Sequence, residues 1–213
     1  QMLNAPYKTA GILTKHFNMW VDAPTVWLTN AQWGENNSVV PAESLEGCIC
    51  YAALDLANNG DYCSYALLFN EQDRFQFLWR FFIPEEKYKN RYDMQREHVS
   101  VAQWVDEGLL TVTPGNVTDY DYIVESLSSD MMKYNVQKIA YDPWNASQTI
   151  PKLVERGAVC EPFTQTIGNL APPTKEFERI VLKGVVDHYD NPVARWMLSN
   201  VVIKEDVNGN RRP

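Results

Sequence analysis

From Cys48 onward the apolar positions fall into short runs divided by polar turns. One run extends to Ala57 and ends at Asn58, Asn59, Gly60 and Asp61; a second spans Tyr62 to Phe69 and ends at Asn70 to Asp73; a third covers Phe75 to Ile83. Runs of this length, bounded by Asn, Asp and Gly, predict a three-stranded antiparallel meander. Pro84 opens a charged stretch to about Glu97. Val101 to Glu107 then reads as a short helix stopped by Gly108, and Leu109 to Thr113 as a strand. Thr118 to Asp121 has the composition of a helix N-terminus, and Ile123, Leu127, Met131 and Tyr134 keep helical spacing to about Asn135. Val136 to Tyr141 predicts a strand, Ser147 to Arg156 a helix stopped by Gly157, and Ala158 to Phe163 another strand. Pro172, Pro173 and Thr174 predict a helix start, with Phe177, Ile180 and Val181 inward and Gly184 as the C-terminal cap. Asn191 and Pro192 begin a short helix through Trp196. Asn200 to Glu205, followed by Asn208, Gly209 and Asn210, reads as a strand entering a hairpin turn with no second strand before Pro213.

Residues 1 to 46 lack this regularity. They carry Pro6, Pro24 and Pro41 together with Trp20, Trp27 and Trp33, the pattern of a linker or arm that packs its aromatics on a neighbour. The expected division is therefore an arm over 1–46 and one main domain over 47–213. At 213 residues the chain can bury one full core but hardly two. No apolar window reaches the roughly 18 residues of a membrane span, and no basic segment followed by an apolar stretch marks a signal peptide, so a cytosolic protein without membrane contact is expected.

Composition narrows the chemistry. Cys48, Cys50, Cys63 and Cys160 lack zinc-type spacing and read as reduced core thiols. His16, His98 and His188 are scattered, which disfavours a histidine-rich metal site; His188, between Asp187 and Asp190, is the one retained as a metal candidate. The net charge of −8 is unevenly spread: residues 1–130 carry 8 basic and 18 acidic side chains, whereas residues 131–213 carry 11 and 9. A basic face for a polyanion would lie in the C-terminal third.

Two acids stand out. Asp55 interrupts the run Tyr51 to Ala57, and a carboxylate buried in such a strand costs several kcal/mol, about the desolvation of an unpaired charge, unless a cation meets it. Asp142 follows the strand Val136 to Tyr141 directly. Two strand-end aspartates suggest a divalent-metal site; otherwise Asp55 would cap the amides of the Asn58–Asn59 turn, and Asp142 with Pro143 would simply turn the chain. Asp61 is a peripheral ligand candidate. Asp119 and Asp121 read better as helix-capping residues than as ligands. Lys175, Arg179 and Lys183 recur every four residues on one helix stripe, and Lys152 and Arg156 repeat the spacing; these and Arg195 beside Trp196 are candidate phosphate contacts, or else ordinary solvated faces. Trp144, beside Asp142, could wall the site.

A meander with an acid on its first strand, then a helix, a strand ending in a second acid and further α/β alternation is the element order of the ribonuclease H-like fold, a mixed central sheet flanked by helices. In that fold the first and fourth core strands lie adjacent and parallel, so Asp55 and Asp142 would converge. Segments Leu54–Leu56 with Asp61, Thr113–Asn116 with Asp119–Asp121, Ala140–Trp144, Gln165–Asn169 with Pro172–Phe177, and Asn191–Met197 with Ser199–Asn200 occur in this order. Together they resemble the C-terminal nuclease domain of the large terminase subunit of tailed bacteriophages, and Lys15–Trp20 resembles the connector from its ATPase domain. The resemblance implies an endonuclease that cuts concatemeric double-stranded DNA in the bacterial host cytoplasm. It implies two Mg²⁺ or Mn²⁺ ions, with Asp55 bridging and Asp142 holding one. The implied partners are the ATPase domain, a procapsid portal and a small terminase subunit. The family's third acid, from a C-terminal element, has no convincing counterpart here and is expected beyond Pro213. No Gly-x-x-x-x-Gly-Lys-Ser/Thr loop is present, so no ATP hydrolysis is expected of this chain.

Three other classes stay open. The run Leu54 to Gly60 also resembles the phosphate-binding hairpin of the sugar-kinase and actin fold, but that architecture is duplicated and usually exceeds about 300 residues. A transposase or resolvase of ribonuclease H-like fold would share the acids and the chemistry. A non-catalytic docking domain of the packaging motor would keep the acids without using them.

Overall fold

The computed structural model describes residues 27–36, 41–57, 61–71, 73–90 and 101–213. His16, His98, the Lys15–Trp20 segment and the Asn58–Gly60 turn lie outside them. Nine strands are described: β1 (Ile49–Asp55), β2 (Cys63–Glu71), β3 (Arg74–Pro84), β4 (Thr111–Thr113), β5 (Asn135–Tyr141), β6 (Cys160–Pro162), β7 (Val186–Asp187), β8 (Lys204–Glu205) and β9 (Arg211–Arg212). The helices are α1 (Asn30–Gly34), α2 (Glu85–Lys89), α3 (Val101–Asp106), α4 (Tyr120–Lys133), α5 (Thr149–Glu155), α6 (Ile167–Leu182) and α7 (Pro192–Ser199), with a 3-10 turn at Ala42–Leu45. Among the described residues no helix is long and apolar enough to cross a membrane.

The meander forms as expected: β1 pairs antiparallel with β2, and β2 with β3. The sheet continues β4-β3-β2-β1-β5-β6, with β7 also beside β3. β1/β5, β5/β6, β3/β4 and β3/β7 are parallel, so the sheet is mixed. Along β1–β5 the register slips by one residue: Cys50 faces Val136 but Tyr51 faces Lys138, leaving Gln137 unmatched.

One face of the sheet is a closed core. Cys50, Ala52 and Leu54 of β1 and Cys63, Tyr65, Leu67 and Phe69 of β2 meet Ile123, Val124 and Leu127 of α4 and Leu153 of α5. Period-two alternation assigns these side chains to one face, and the 3.6-residue period of α4 supplies the matching stripe. Burial pushes the Cys50 thiol up to about 12, which keeps it an inert packing group. On the other face, Phe75, Phe77 and Trp79 of β3 are roofed by Trp33 of α1 and by Phe177, Ile180 and Val181 of α6; Phe81 packs with Val193 and Ala194 of α7. That roof stops at β3. Ile49 and Tyr51 of β1 remain 54% and 53% exposed on the same side.

Three details differ from the sequence expectation. Residues Tyr51 to Ala57 are not buried throughout: β1 alternates, and Tyr51, Ala53 and Asp55 point to the unroofed face. α6 begins at Ile167 rather than at Pro172, because the Thr166 side chain accepts from the Asn169 amide and caps the helix five residues earlier. Pro172 and Pro173 are thus interior and remove two ladder donors. At its other end Gly184 does take the left-handed conformation, φ 70°, just past the cap. The C-terminal hairpin has its second strand after all: Arg211 and Arg212 pair with Glu205 and Lys204 around the tight Asn208–Gly209 turn.

Buried polar groups hold the roof and the β3–β7 edge. Asn36 donates to the carbonyls of Gln32 (2.8 Å) and Val181 (3.0 Å) and accepts from the Val186 amide (3.1 Å). His188 stacks on Trp33 with ring centroids 4.1 Å apart. The Asp190 amide donates to His188 Nδ1 (3.1 Å), so Nε2 carries the proton and donates to the Trp33 carbonyl (2.9 Å). Both ring nitrogens are occupied by backbone, which removes His188 as a metal candidate, and burial lowers its pKa. Asp187, 0% exposed, takes a two-pronged bond from Arg74.

Arg74→Met leaves the Asp187 carboxylate buried without its cation. Urea unfolding at pH 7 should show a loss of about 3–5 kcal/mol, and the double variant Arg74→Met, Asp187→Leu should recover most of it.

Candidate functional site

Parallel pairing places Leu54 of β1 opposite Tyr141 of β5. The next residue on each strand is an acid, Asp55 and Asp142. With neighbouring strands about 4.8 Å apart, the two carboxylates leave the sheet side by side. Both line a single open cleft of about 600 Å³ on the unroofed face, beside Ser64, which is paired with Asp55 on β2, and Gln165. The rest of the wall is apolar: Tyr141 and Phe163 on the sheet side, Leu170, Pro173 and Phe177 of α6, and Met197 and Leu198 of α7. Among the described residues no Lys or Arg lines the cleft.

Water reaches Asp55, but the cleft walls crowd it, and this partial burial raises its pKa above the ordinary value; the Gln165 hydrogen bond opposes the rise, while Asp142 and then Asp61 add to it. Asp142 closes a local turn, accepting the Trp144 amide at Oδ1 (3.0 Å). The turn expected of Asp142 and Pro143 and a place in the cleft therefore coexist. Asn145, at φ 65°, donates to the Leu56 carbonyl (3.2 Å) and fastens the loop after β5 to the end of β1. Trp144 projects between these anchors with 73% of its surface exposed.

The structure does not bring every candidate to this place. Asp61 lies outside the cleft lining and pairs with Lys87 at 3.2 Å. Asp119 caps α4 through the Asp121 amide, and Asp121 pairs with Lys152. Arg156 pairs with Glu125, Arg179 with Glu176 and Arg195 with Asp190. At about 100° per residue, Lys175 and Arg179 fall on the side of α6 opposite the cleft-lining Phe177, and Lys183 follows their stripe at the C-terminal cap. Gln165, Ser64 and the apolar wall were not singled out from sequence. Ser64 could have been found by aligning the meander in register; the contact of Gln165 with Asp55 spans 110 residues and had no local signal.

The donor set suits a hard divalent cation. Two carboxylates with water satisfy Mg²⁺ or Mn²⁺, and the mutual repulsion of Asp55 and Asp142 is what such an ion relieves. Among the described residues no group of three or more His, Cys, Asp or Glu side chains converges, so these two acids fit one ion and are too few for two.

The raised pKa carries a stability consequence. Ionising Asp55 is harder in the folded chain than in the unfolded one, so the fold is penalised at pH values above the raised pKa and relieved as pH falls toward the unfolded value of 3.8. With a chelator present, Asp55→Asn should raise the thermal midpoint at pH 7, and the difference from wild type should hold while the pH stays above the raised pKa and shrink as pH falls through it to about 4.

Residues 2–213 match the family model described as the terminase large subunit, endonuclease domain. The protein YmfN of Escherichia coli K12 is 29% identical over 203 residues, 90% of this chain and 44% of that protein. The large terminase subunit of Enterobacteria phage HK97 is 28% identical over 169 residues, 76% of this chain and 32% of that protein. The chain thus spans less than half the length of both relatives. The solved HK97 large terminase superposes with a TM-score of 0.77 at 24% identity, over 87% of this chain and 38% of that one. The large terminase nuclease of the thermophilic phage G20c gives 0.51 at 12% identity, over 86% and 88%. The mixed sheet with its flanking helices is the ribonuclease H-like fold of those nuclease domains, and with a family match over nearly its whole length the chain belongs to the endonuclease-domain family of terminase large subunits.

Proposed function

We propose that this chain is a metal-dependent endonuclease domain that cuts concatemeric double-stranded DNA during viral genome packaging. The observation that carries the reading is the β1–β5 pairing, which brings Asp55 and Asp142 together at the mouth of one cleft. Two Mg²⁺ or Mn²⁺ ions, bound there, would supply an activated water and stabilise the leaving 3′-oxygen. Asp55 would serve both ions and Asp142 would hold one of them, with a third carboxylate, which the family resemblance places in a C-terminal element, completing the set. Asn145 and the Trp144 amide fix the loop that carries Asp142, so the pair is held before an ion arrives.

Lys175, Arg179, Lys183 and Arg195 are the proposed phosphate contacts. The pairs formed by Arg179 with Glu176 and Arg195 with Asp190 are solvent-exposed and contribute little to stability, so a phosphate can take the place of the carboxylate. Because Lys175 and Arg179 face away from the cleft, they would hold DNA at a distance from the cut rather than at it. The ATPase domain of a full-length subunit, a procapsid portal and a small terminase subunit are the proposed partners, in the cytoplasm of a bacterial host.

Plasmid nicking with Mn²⁺ tests the reading. Asp55→Ala and Asp142→Ala should each abolish cleavage while circular dichroism and the thermal midpoint show a folded chain. Cleavage by either variant at the wild-type rate would remove that residue from the site, and a folded wild-type chain that neither binds Mn²⁺ nor cuts would favour the docking-domain alternative.

A further inference from the structure

Gln165 occupies a place that the chemistry of the two acids does not explain. Its side-chain amide donates from Nε2 to Asp55 Oδ1 at 3.5 Å, across 110 residues of sequence. That bond is long, yet the backbone beneath it is held on both sides. The Phe163 amide donates to the Tyr141 carbonyl (2.7 Å), tying the segment to β5 one residue before Asp142. Arg212 of β9 donates from Nη1 to the Gln165 carbonyl (2.6 Å). Thr166, the next residue, caps the 16-residue α6. Gln165 is itself solvent-exposed, so it does not serve as packing, and removing it leaves no cavity.

The chemical type is also informative. A Lys or Arg at this position would neutralise Asp55 and compete with a cation for it. An amide is uncharged at every pH, donates to one carboxylate oxygen and leaves the negative charge available. Hydrogen-bond donors behind a ligating carboxylate commonly fix its orientation and raise metal affinity.

We propose that Gln165 is a positioning residue for Asp55, holding one carboxylate oxygen so that the group is aimed at a divalent ion, and that Arg212 steadies Gln165 from the C-terminal hairpin. The inference rests on the metal-dependent reading of the cleft. It links β9, the segment before α6 and the first acid in a single chain of hydrogen bonds.

Isothermal titration of the chain with MnCl₂ at pH 7 tests it, alongside thermal unfolding in chelator. Gln165→Leu removes the donor without adding charge, shortening the side chain by one atom; its Kd for Mn²⁺ should rise about 10- to 100-fold with an unchanged thermal midpoint. Arg212→Ala should give a smaller rise in the same direction. In cleavage assays the Mn²⁺ concentration for half-maximal rate should increase in Gln165→Leu, while the rate at saturating Mn²⁺ stays near wild type. That split separates positioning from a general loss of structure. A Gln165→Leu Kd within twofold of wild type would overturn the proposal and leave the nuclease reading standing. A wild-type chain that does not bind Mn²⁺ at all would overturn the nuclease reading and this inference with it.

Discussion

β1 is hydrogen-bonded antiparallel to β2 on one edge and parallel to β5 on the other, and the second of these pairings constrains everything at the site. In a parallel ladder, residues in register share a face, so the position of Asp142 relative to Asp55 depends on the count of residues along both strands. The one-residue slip at Cys50–Tyr51 sets that count. With Gln137 left over, Tyr51 and Ala53 share the open face with Lys138 and Ala140, and the acids follow in phase. Without it Asp55 would face Tyr141, and Asp142 would lie opposite Leu56, on the side of the closed core. A strand irregularity some five residues away thus determines whether the two carboxylates meet.

The two faces of the sheet are treated differently, and the division follows the aromatic residues. β3 carries Phe75, Phe77, Trp79 and Phe81 on the roofed face, and these draw α1, α6 and α7 over it. On the same side the cleft end of β1 offers Ala53 and Asp55, too small or too polar to hold a helix down. The cleft is therefore the edge of the roof rather than a hole through it. Asn36 and the His188–Trp33 stack sit on the roofed side, so these rigid attachments lie beside the cleft without filling it.

Much of this was legible in the sequence. The meander, the spacing of Ile123, Leu127 and Tyr134, the Asn191–Pro192 start of α7 and the two strand-end acids all follow from local patterns, because turns, caps and periodicity are written in neighbouring residues. Other features depend on partners far along the chain. The run from Tyr51 to Ala57 has no polar residue at position 53 to reveal its alternation, so Asp55 looked buried. Pro172 and Pro173 are a stronger local signal than the Thr166 cap, and they misplaced the start of α6. Arg179 and Arg195 read as candidate phosphate contacts or solvated faces, although Glu176 and Asp190, three and five residues before them, were partners within local reach. Gln165 lay within a recognised motif, but its contact with Asp55 exists only once β1 and β6 are in one sheet.

Among the described residues, no Lys or Arg lines the cleft that holds the acids. Taken with the nuclease reading, that makes the mouth of the site a local barrier to its own substrate: a phosphodiester approaching two carboxylates meets like charge, and the Lys175–Arg179 stripe of α6 faces elsewhere. Divalent ions would then act first as a gate of charge sign, turning a surface that repels the DNA backbone into one that admits it. Strand entry and bond cleavage would become conditional on the same event, and a strand held on the outer side of α6 could pass the site uncut for as long as the acids remain bare.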